Sequence, residues 1–504
     1  MSDSSYRTIL RSSAIIGGSQ AVSVLASLIR MKVLAVLLGP TGVGLAGLYM
    51  SLIQTGSTVA AMGLGTAGTR QIAAADGAGD TATVSLVRRA LFWGTAALAL
   101  LGGAIFWLAR RPIASVALSD PARGDEVGWL AIGVVLTVAA GSQAALLGGL
   151  RRIGDLARLN MISGVAGALI GVLLVWQWGA DGLLPMVLIA PLVAFATGHL
   201  YVSRLPRPLQ QRHDFGTLAR ALKTMGGTGV AFMLSVLATV LAQLIVRVMV
   251  QRDLGEPALG HFQAAWAISV TYLGFVLNAM GTDYFPRLSA AIDDPAKASR
   301  LVNEQTEVAL LLASPVIIAL LGLAPLVVAV LYSPEFSPAI IVLQWQLLGD
   351  LLKVMSWPLG FVLLAAGSGK TYIMAEILGV GVMLVGVAVG LPLIGIEATG
   401  VAFLVMYLVY LPTIFWLAAR RIGFRWSRPV RAQATGVLSL AVVVMVAAQW
   451  SPLAGAVIAT AGGGALALWS LIRIASMSQQ IGGERLVRIA RLGERVKAWM
   501  TKQS

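Results

Sequence analysis

The sequence has no cysteine, so neither disulfides nor thiolate metal sites are open to it. Its three histidines, His199, His213 and His261, are scattered, and no metal site is expected from them. Charge is also scarce, at 12% of 504 residues against 58% hydrophobic. A soluble globule of this length needs more polar surface than that. Acidic residues are the scarcer kind, 22 against 37 basic ones, leaving a net charge of +15. Nucleic-acid binding would gather that excess on one face among reading side chains. Here it is spread over short loops between apolar runs, so the partner implied is the lipid bilayer, with no nucleic acid.

Apolar sequence, in turn, comes in runs long enough to cross a bilayer. Such runs lie near 12–38, 42–66, 85–109, 127–149, 157–178, 182–203, 218–250, 258–282, 305–331, 337–366, 371–391, 397–419, 430–449 and 452–473. They predict an all-α polytopic membrane protein of about 14 transmembrane helices. The basic residues supply an internal check, because inner loops should hold them. Only Arg110, Arg111, Arg123 and Arg252 fall in outer loops, and only Arg30, Lys32, Arg247 and Lys353 within spans. Every other Lys and Arg falls in an inner segment, which places both termini in the cytoplasm. The first run is full length and is followed by no small-residue cleavage site, so it is expected to be retained.

Short matches recur at an offset of about 216 residues. Leu38-Gly39 and Gly44 are answered by Leu254-Gly255 and Gly260, and Ala61-Met62-Gly63 with Arg70 by Ala279-Met280-Gly281 with Arg287. Arg30 is answered within one position by Arg247. Six spans separate the copies, so the repeat is expected to be parallel, giving two pseudo-symmetric six-helix lobes. The expected divisions are an N-lobe over 1–205, a C-lobe over 206–425, two further helices over 426–474 with a lipid-tail groove, and a basic cytoplasmic tail over 475–504. Within that tail, 484–500 carries an amphipathic helical pattern with five basic residues, suited to the inner membrane surface.

Charge at membrane depth is costly and marks a polar cavity. Arg30 and Arg247 lie about 12 to 14 Å from the outer ends of their helices at 1.5 Å per residue. At matching depth in opposite lobes they can converge on one ligand, and the planar fork of arginine suits a diphosphate. Either arginine can instead pair with a carboxylate or snorkel outward. Lys32, two positions from Arg30, faces away from it and either snorkels or joins the cavity. Asp350 and Lys353, at i and i+3, read as an ion pair within the bundle or as a coupling site, with Glu376 a candidate of the same kind. Asp283 and Arg287 read as a surface or cytoplasmic gate pair. The rings of Tyr49, Trp266, Tyr272, Tyr284 and Trp357 can face a cavity, although packing and interfacial anchoring are the commoner uses. Gly367-Ser368-Gly369-Lys370-Thr371 mimics the end of a nucleotide-binding loop, but its required first glycine falls at Leu364 and its flanks are membrane helices. No nucleotide and no cofactor is expected.

The segments Gly281-Thr282-Asp283-Tyr284-Phe285-Pro286-Arg287, Val302-Asn303-Glu304-Gln305-Thr306-Glu307 and Tyr332-Ser333-Pro334-Glu335-Phe336 resemble the middle of O-antigen translocases. Gln344-Trp345-Gln346, Gly349-Asp350, Lys353 and Trp357-Pro358-Leu359-Gly360 continue the likeness, as does the opening Leu38-Gly39-Pro40. Those translocases belong to the multidrug/oligosaccharidyl-lipid/polysaccharide flippase superfamily. The resemblance implies alternating access in the bacterial inner membrane. Its implied cargo is an undecaprenyl-diphosphate-linked oligosaccharide, an O-antigen or related repeat unit, moved from the cytoplasmic to the periplasmic leaflet. It also implies cavity arginines near the first, second and seventh helices that engage the diphosphate, and Arg30, Arg70 and Arg247 stand in comparable places. Other membrane proteins of polysaccharide assembly are implied partners.

No bond is made or broken in such a scheme, and no enzyme is expected. The alternatives are a cation-coupled multidrug exporter of the same superfamily and an integral-membrane glycan ligase or polymerase. A cationic cavity argues against the first. The second needs an outer catalytic face, for which the loops offer mainly Arg110, Arg111, Asp120, Arg123, Asp125 and Glu126. On the flippase reading, replacing Arg111 and Arg123 with alanine is expected to cost little.

Overall fold

The computed structural model describes residues 3–206 and 214–479, and every regular element among them is helical. The amphipathic segment expected over 484–500 lies outside the described residues. The first apolar run forms α1 (Asp3–Ala61), which bends at Gly39. There φ is 62° and ψ −161°, a conformation closed to residues with a side chain. Pro40 follows, and its fixed φ suits the first turn of a new helical segment. The same device recurs in α8 (Phe215–Ala291), which bends at Gly255 with φ 83° and ψ 179°.

Gly39 and Gly255 are 216 residues apart, the offset of the sequence repeat, and two further pairs keep it. The helix α6 (Ile153–Trp178) ends at Gly179 (φ 58°, ψ −128°) and α12 (Gly369–Ile394) ends at Gly395 (φ 62°, ψ −142°). The turns leading into α6 and α12 place Arg151 and Gly367 at positive φ. Element order repeats as well. After α1 come α2 (Leu64–Gly77), α3 (Thr81–Leu108), the short α4 (Arg110–Ala117), a 3-10 turn at Pro121–Arg123, α5 (Gly124–Gly149), α6, a 3-10 turn at Gly179–Gly182 and α7 (Leu183–Ser203). After α8 come α9 (Pro295–Gly322), the short α10 (Ala324–Leu331), a 3-10 turn at Pro334–Phe336, α11 (Pro338–Ala365), α12 and α13 (Glu397–Ile422). Two helices follow the repeat, α14 (Arg428–Trp450) and α15 (Pro452–Gln479).

Among the described residues, ten runs are long and apolar enough to cross a bilayer. Two of them, Gly18–Ala61 and Ile153–Ser203, have 44 and 51 residues, enough for two passes each. Each is broken where a second pass must begin, at Gly39 and at Gly179–Gly182. Two expected spans are redrawn. The run 42–66 stops at Ala61, because Met62 and Gly63 take φ of 45° and 68°. The run 305–331 divides at Leu323, so that α10 stands apart from α9 as α4 stands apart from α3.

The helices gather into two compact units. One holds the chain through Ala264 together with Leu331–Phe336, and in it α1 lies against α3, α5 and α6 while α2 lies against α3 and α5. Leu64, Ile72, Leu91, Leu147 and Met225 are buried at its centre. The other holds Ala265–Val330 and the described chain from Ser337 on. Its α11 packs on α9 and α13, its α14 and α15 pack on α9, and Arg473 of α15 pairs with Glu307 of α9 at 2.9 Å. Tyr284, Leu359, Tyr410 and Phe424 are among its buried residues.

Within the first unit the two bends meet. A methyl group added to Gly260 would lie 1.9 Å from the Pro40 carbonyl oxygen, and one added to Gly44 would lie 2.7 Å from the Glu256 oxygen. Backbone against backbone leaves no room to yield. Gly260→Ala is therefore expected to cost about 1–3 kcal/mol of stability. Gly464→Ala, whose added methyl meets nothing within 4 Å, is expected to cost none. Thermal unfolding of the purified variants, followed by size-exclusion chromatography, distinguishes the two.

Candidate functional site

All four expected diphosphate ligands fall in the first unit, Arg247 included, because the first half of α8 belongs there with α1 and α2. Arg247 is buried, yet its partners are neutral. Its Nε donates to Gln263 Oε1 at 3.0 Å, its Nη1 donates to the Gln243 carbonyl at 3.1 Å, and its guanidinium stands 5.9 Å from the Phe262 ring. One turn further, the buried Gln251 keeps an amide oxygen without a donor. Arg30 has Met50 Sδ 3.9 Å from its Nη2, and its buried Nε has no partner. Among the described residues no carboxylate pairs with either arginine.

The two arginines are tied to one face of α1. Gln263, which holds Arg247, fits because position 47 is glycine: a methyl group there would come within 2.6 Å of Gln263 Oε1. Met50, beside Arg30, is three residues on and shares that face. The bend at Gly39 lets Arg30, on the first segment of α1, reach Met50 on the second.

Arg70 of α2 is among the residues that line a cavity of about 730 Å³. Hydroxyl and amide groups line it from four helices: Gln54, Ser57 and Thr58 of α1, Thr66 and Thr69 of α2, Thr95 of α3, and Thr137 and Ser142 of α5. Several hydroxyl protons are committed to helix carbonyls, as in Thr58 to Gln54 at 2.7 Å and Thr69 to Gly65 at 3.0 Å. Their oxygen lone pairs remain as acceptors toward the cavity. Such a lining can receive the hydroxyl donors of a sugar while Arg70 answers an anion. Lys32 is engaged elsewhere, since its ammonium donates to the Tyr332 carbonyl beside the Pro334–Phe336 turn.

In the second unit the expected pairing of Asp350 with Lys353 does not form. Asp350 is buried, and its Oδ2 accepts from Ser269 Oγ at 2.6 Å while Oδ1 has no partner. The Lys353 ammonium stands 5.9 Å from the Phe403 ring instead. A hydroxyl across the bundle and an aromatic face have displaced the i, i+3 contact. Both amide atoms of the neighbouring Gln346 are buried without partners. Glu376 accepts from Tyr410. Asp283 and Arg287 do pair, at 3.1 Å, with both side chains well exposed, where such a pair adds little stability. Trp266 stands edge-on to Phe403, and Tyr284 donates to the Pro358 carbonyl at 3.0 Å against Trp357 and Phe361. The side chain of Tyr272 lies outside the described residues.

Arg123 is the residue whose role the loop reading missed. Its Nη1 donates to Glu256 at 2.6 Å, its Nη2 to Glu126 at 2.9 Å and to Tyr49 Oη at 3.0 Å, and Tyr49 donates in turn to Glu126. One guanidinium thus joins the second segment of α1, the start of α5 and the residue that follows the bend of α8. Arg123, Glu126 and Tyr49 line a smaller cavity of about 350 Å³ with Asp181. The available signal was Glu256 itself, a carboxylate set directly after the bend glycine.

A family model described as "Polysaccharide biosynthesis protein" matches residues 33–341. The chain belongs to that family. The match takes in Arg70, Arg123 and Arg247 and leaves Arg30, Lys32 and the Asp350 cluster outside it. Among curated relatives, this family member is 26% identical over 256 residues to the Lipid III flippase of Escherichia coli (strain K12) and, at the same identity, to that of Shigella flexneri. The alignments cover 50% of this chain and 61% of each relative. Among solved structures it superposes on "Lipid II flippase MurJ, inward closed conformation" with a TM-score of 0.67 and 11% identity, over 91% of this chain and 98% of that one. It superposes on an inward-facing multidrug resistance MATE family transporter of the MOP superfamily with a TM-score of 0.64 and 17% identity, over 80% and 94%. At such identities the likeness is one of fold.

For this polysaccharide biosynthesis protein the Arg123 network replaces the expectation of a dispensable outer loop. Arg123→Ala leaves two half-buried carboxylates and a tyrosine without their cation, at a cost of about 2 kcal/mol. Arg111→Ala, on the exposed face of α4, is expected to leave thermal stability unchanged. Unfolding of both variants in detergent measures the difference.

Proposed function

We propose that this chain is a flippase for a lipid-linked glycan, carrying a polyprenyl-diphosphate-linked oligosaccharide from the cytoplasmic to the periplasmic leaflet of the bacterial inner membrane. The observation that carries this reading is the pair of guanidiniums, Arg30 and Arg247, set in apolar helices with neutral partners only among the described residues. An ion buried without a counter-ion costs several kcal/mol. A ligand that supplies the missing negative charge removes that cost, and a diphosphate matches the arginine fork in both charge and geometry. The hydroxyl-lined cavity beside Arg70 suits the glycan. Family membership and the named activity of the curated relatives point the same way.

In this scheme the glycan and diphosphate cross in a hydrated cavity by alternating access, with the termini in the cytoplasm and no bond made or broken. Undecaprenyl is the proposed carrier and an O-antigen or related repeat unit the proposed cargo, with other polysaccharide-assembly membrane proteins as partners. The expected lobes, 1–205 and 206–425, are the proposed moving bodies, with the tail over 475–504 on the inner surface. Arg30, Arg247 and Arg70 engage the diphosphate, while Lys32, held on the Tyr332 carbonyl, does not join them, and Asp283 with Arg287 guards the cytoplasmic end. A MATE-like exporter shares the fold, but uncompensated arginines would repel cationic cargo.

Arg30→Ala and Arg247→Ala are each expected to lower translocation of the lipid-linked glycan at least about tenfold without loss of protein from the membrane, and lysine at either position restores it only in part. Leaflet-selective labelling of the glycan in reconstituted vesicles gives the readout. Normal transport by the double alanine variant would sink the diphosphate assignment. Asp350, with one carboxylate oxygen unclaimed, is the proposed coupling group. Asp350→Asn is expected to abolish the response of transport to an imposed sodium or proton gradient while movement down the substrate gradient persists, which a gradient-jump assay on the same vesicles decides.

A further inference from the structure

The chain runs from Glu397 to Glu484 without an acidic residue between them, and the six basic residues in that stretch are all arginine. Five of them, Arg420, Arg421, Arg425, Arg428 and Arg431, fall on the elbow that joins α13 to α14, and all five are exposed. Among the described residues none of the five pairs with a carboxylate. Arg152 and Arg158, by contrast, share Asp155 at 2.9 and 3.2 Å, and Arg287 has Asp283.

Membrane topology accounts for two of the five. Arg420 and Arg421 close α13, where the helix dipole favours a cation, and they suffice to mark an inner loop. Arg428 and Arg431 stand in the first turn of α14, where the same dipole disfavours a cation, and no acidic residue in that turn offsets them. Arg425 adds a third guanidinium just ahead of this positive helix end. Such an arrangement repels itself, and an anion completes it.

The elbow is also held in one shape. Gly423, at φ 65°, ends α13. Asn303 of α9 then donates to the Arg425 carbonyl at 3.1 Å and accepts from the Ser427 N–H at 2.8 Å, so that one side chain clamps the backbone on both sides of Trp426. Phe424 is buried beneath, against Phe415 and Trp426. A backbone fixed in this way presents its arginines without a further ordering cost. Trp416 is exposed and carries the Arg420 guanidinium 3.9 Å from its ring, the pairing of an anchor at the edge of the lipid. The one hydroxyl side chain of the elbow, Ser427, accepts from the Val430 N–H to cap α14. The elbow therefore offers forks for a phosphate and little for a sugar.

We propose that the α13–α14 elbow binds the phosphate headgroup of an anionic phospholipid, with Arg425, Arg428 and Arg431 on the phosphate and Arg420 with Trp416 at the start of the acyl chains. On the proposed orientation this lipid belongs to the cytoplasmic leaflet. It is a resident ligand of the second unit, distinct from the cargo.

In the test, the full chain in detergent is titrated with phosphatidylglycerol or phosphatidylethanolamine, and bound lipid is counted by native mass spectrometry. The wild type is expected to hold phosphatidylglycerol at least about tenfold more tightly. Arg425→Gln, Arg428→Gln and Arg431→Gln combined remove that preference, whereas Arg158→Gln leaves it in place. Lysine at the same three positions keeps the charge that insertion needs and weakens binding about threefold through loss of the fork. Equal binding of the two lipids by the wild type, an unaltered preference in either triple variant, or an equal loss in Arg158→Gln would overturn the site. Displacement of phosphatidylglycerol by millimolar inorganic phosphate would make this a site for free phosphate, and displacement by an equimolar undecaprenyl-diphosphate-linked disaccharide would make it a station for cargo. Either result overturns the phospholipid assignment.

Discussion

An arginine set in a membrane helix has to be solvated by something, and hydrocarbon cannot do it. That constraint organises the first unit. Arg247 is solvated by an amide side chain and a helix carbonyl, and the amide belongs to Gln263, sixteen residues on along the same bent helix. Gln263 finds its place because Gly47 has no side chain, and the second segment of α1 lies close enough because Gly44 and Gly260 also have none. The glycine-rich crossing of two bent helices thus serves the guanidinium as much as the packing. Replacing amide with carboxylate at 263 would neutralise the charge; the amide holds the arginine in place and leaves its field intact.

The two bent helices are fastened near their bends by ions of both signs. Arg123 takes Glu256 and Glu126 together, with Tyr49 between them, and Lys32 closes on the turn after Leu331 through the Tyr332 carbonyl. Arg247 and Arg30, by contrast, are held by neutral partners among the described residues. The second unit likewise gives charged groups neutral partners: Asp350 is held by the Ser269 hydroxyl, and Lys353 stands over the face of Phe403.

Much of this was legible in the sequence, and the remainder has a physical reason for being hidden. Length and hydropathy give the all-helical, polytopic character, because the bilayer fixes span length and every backbone group must be bonded within its own helix. The offset of 216 residues, faint as a pattern of Gly, Leu and Ala, marks the bends at Gly39 and Gly255, where backbone conformation admits glycine alone. The break at Met62 and Gly63 was not legible, since it needs the Gly229 carbonyl pressed on Gly63 from α8. Nor was the choice of partners for charged groups. Spacing proposes i, i+3 for Asp350 and Lys353, yet Ser269, 81 residues away, takes the carboxylate, and Arg123 reaches Glu256 across 133 residues. Local periodicity ranks neighbours on one helix and says nothing about the helix opposite.

The neutral partners bear on release as much as on capture. A carrier has to give up its cargo, so its binding groups cannot be replaced one for one by permanent counter-ions of the same strength. A guanidinium carries five N–H donors. In Arg247 two contacts hold the group in place and leave donors for a ligand, and in Arg30 the hydrogen-bond contact among the described residues is a thioether. On the proposed reading, a diphosphate that arrives adds charge and acceptors without displacing a carboxylate. When it leaves, the arginine returns to amide, carbonyl and water at modest cost. A salt bridge in the empty site would have to break on every cycle, at several kcal/mol for a buried pair. On that reading, glutamine at 263 and glycine at 47 serve turnover, through what the site must do when it is empty.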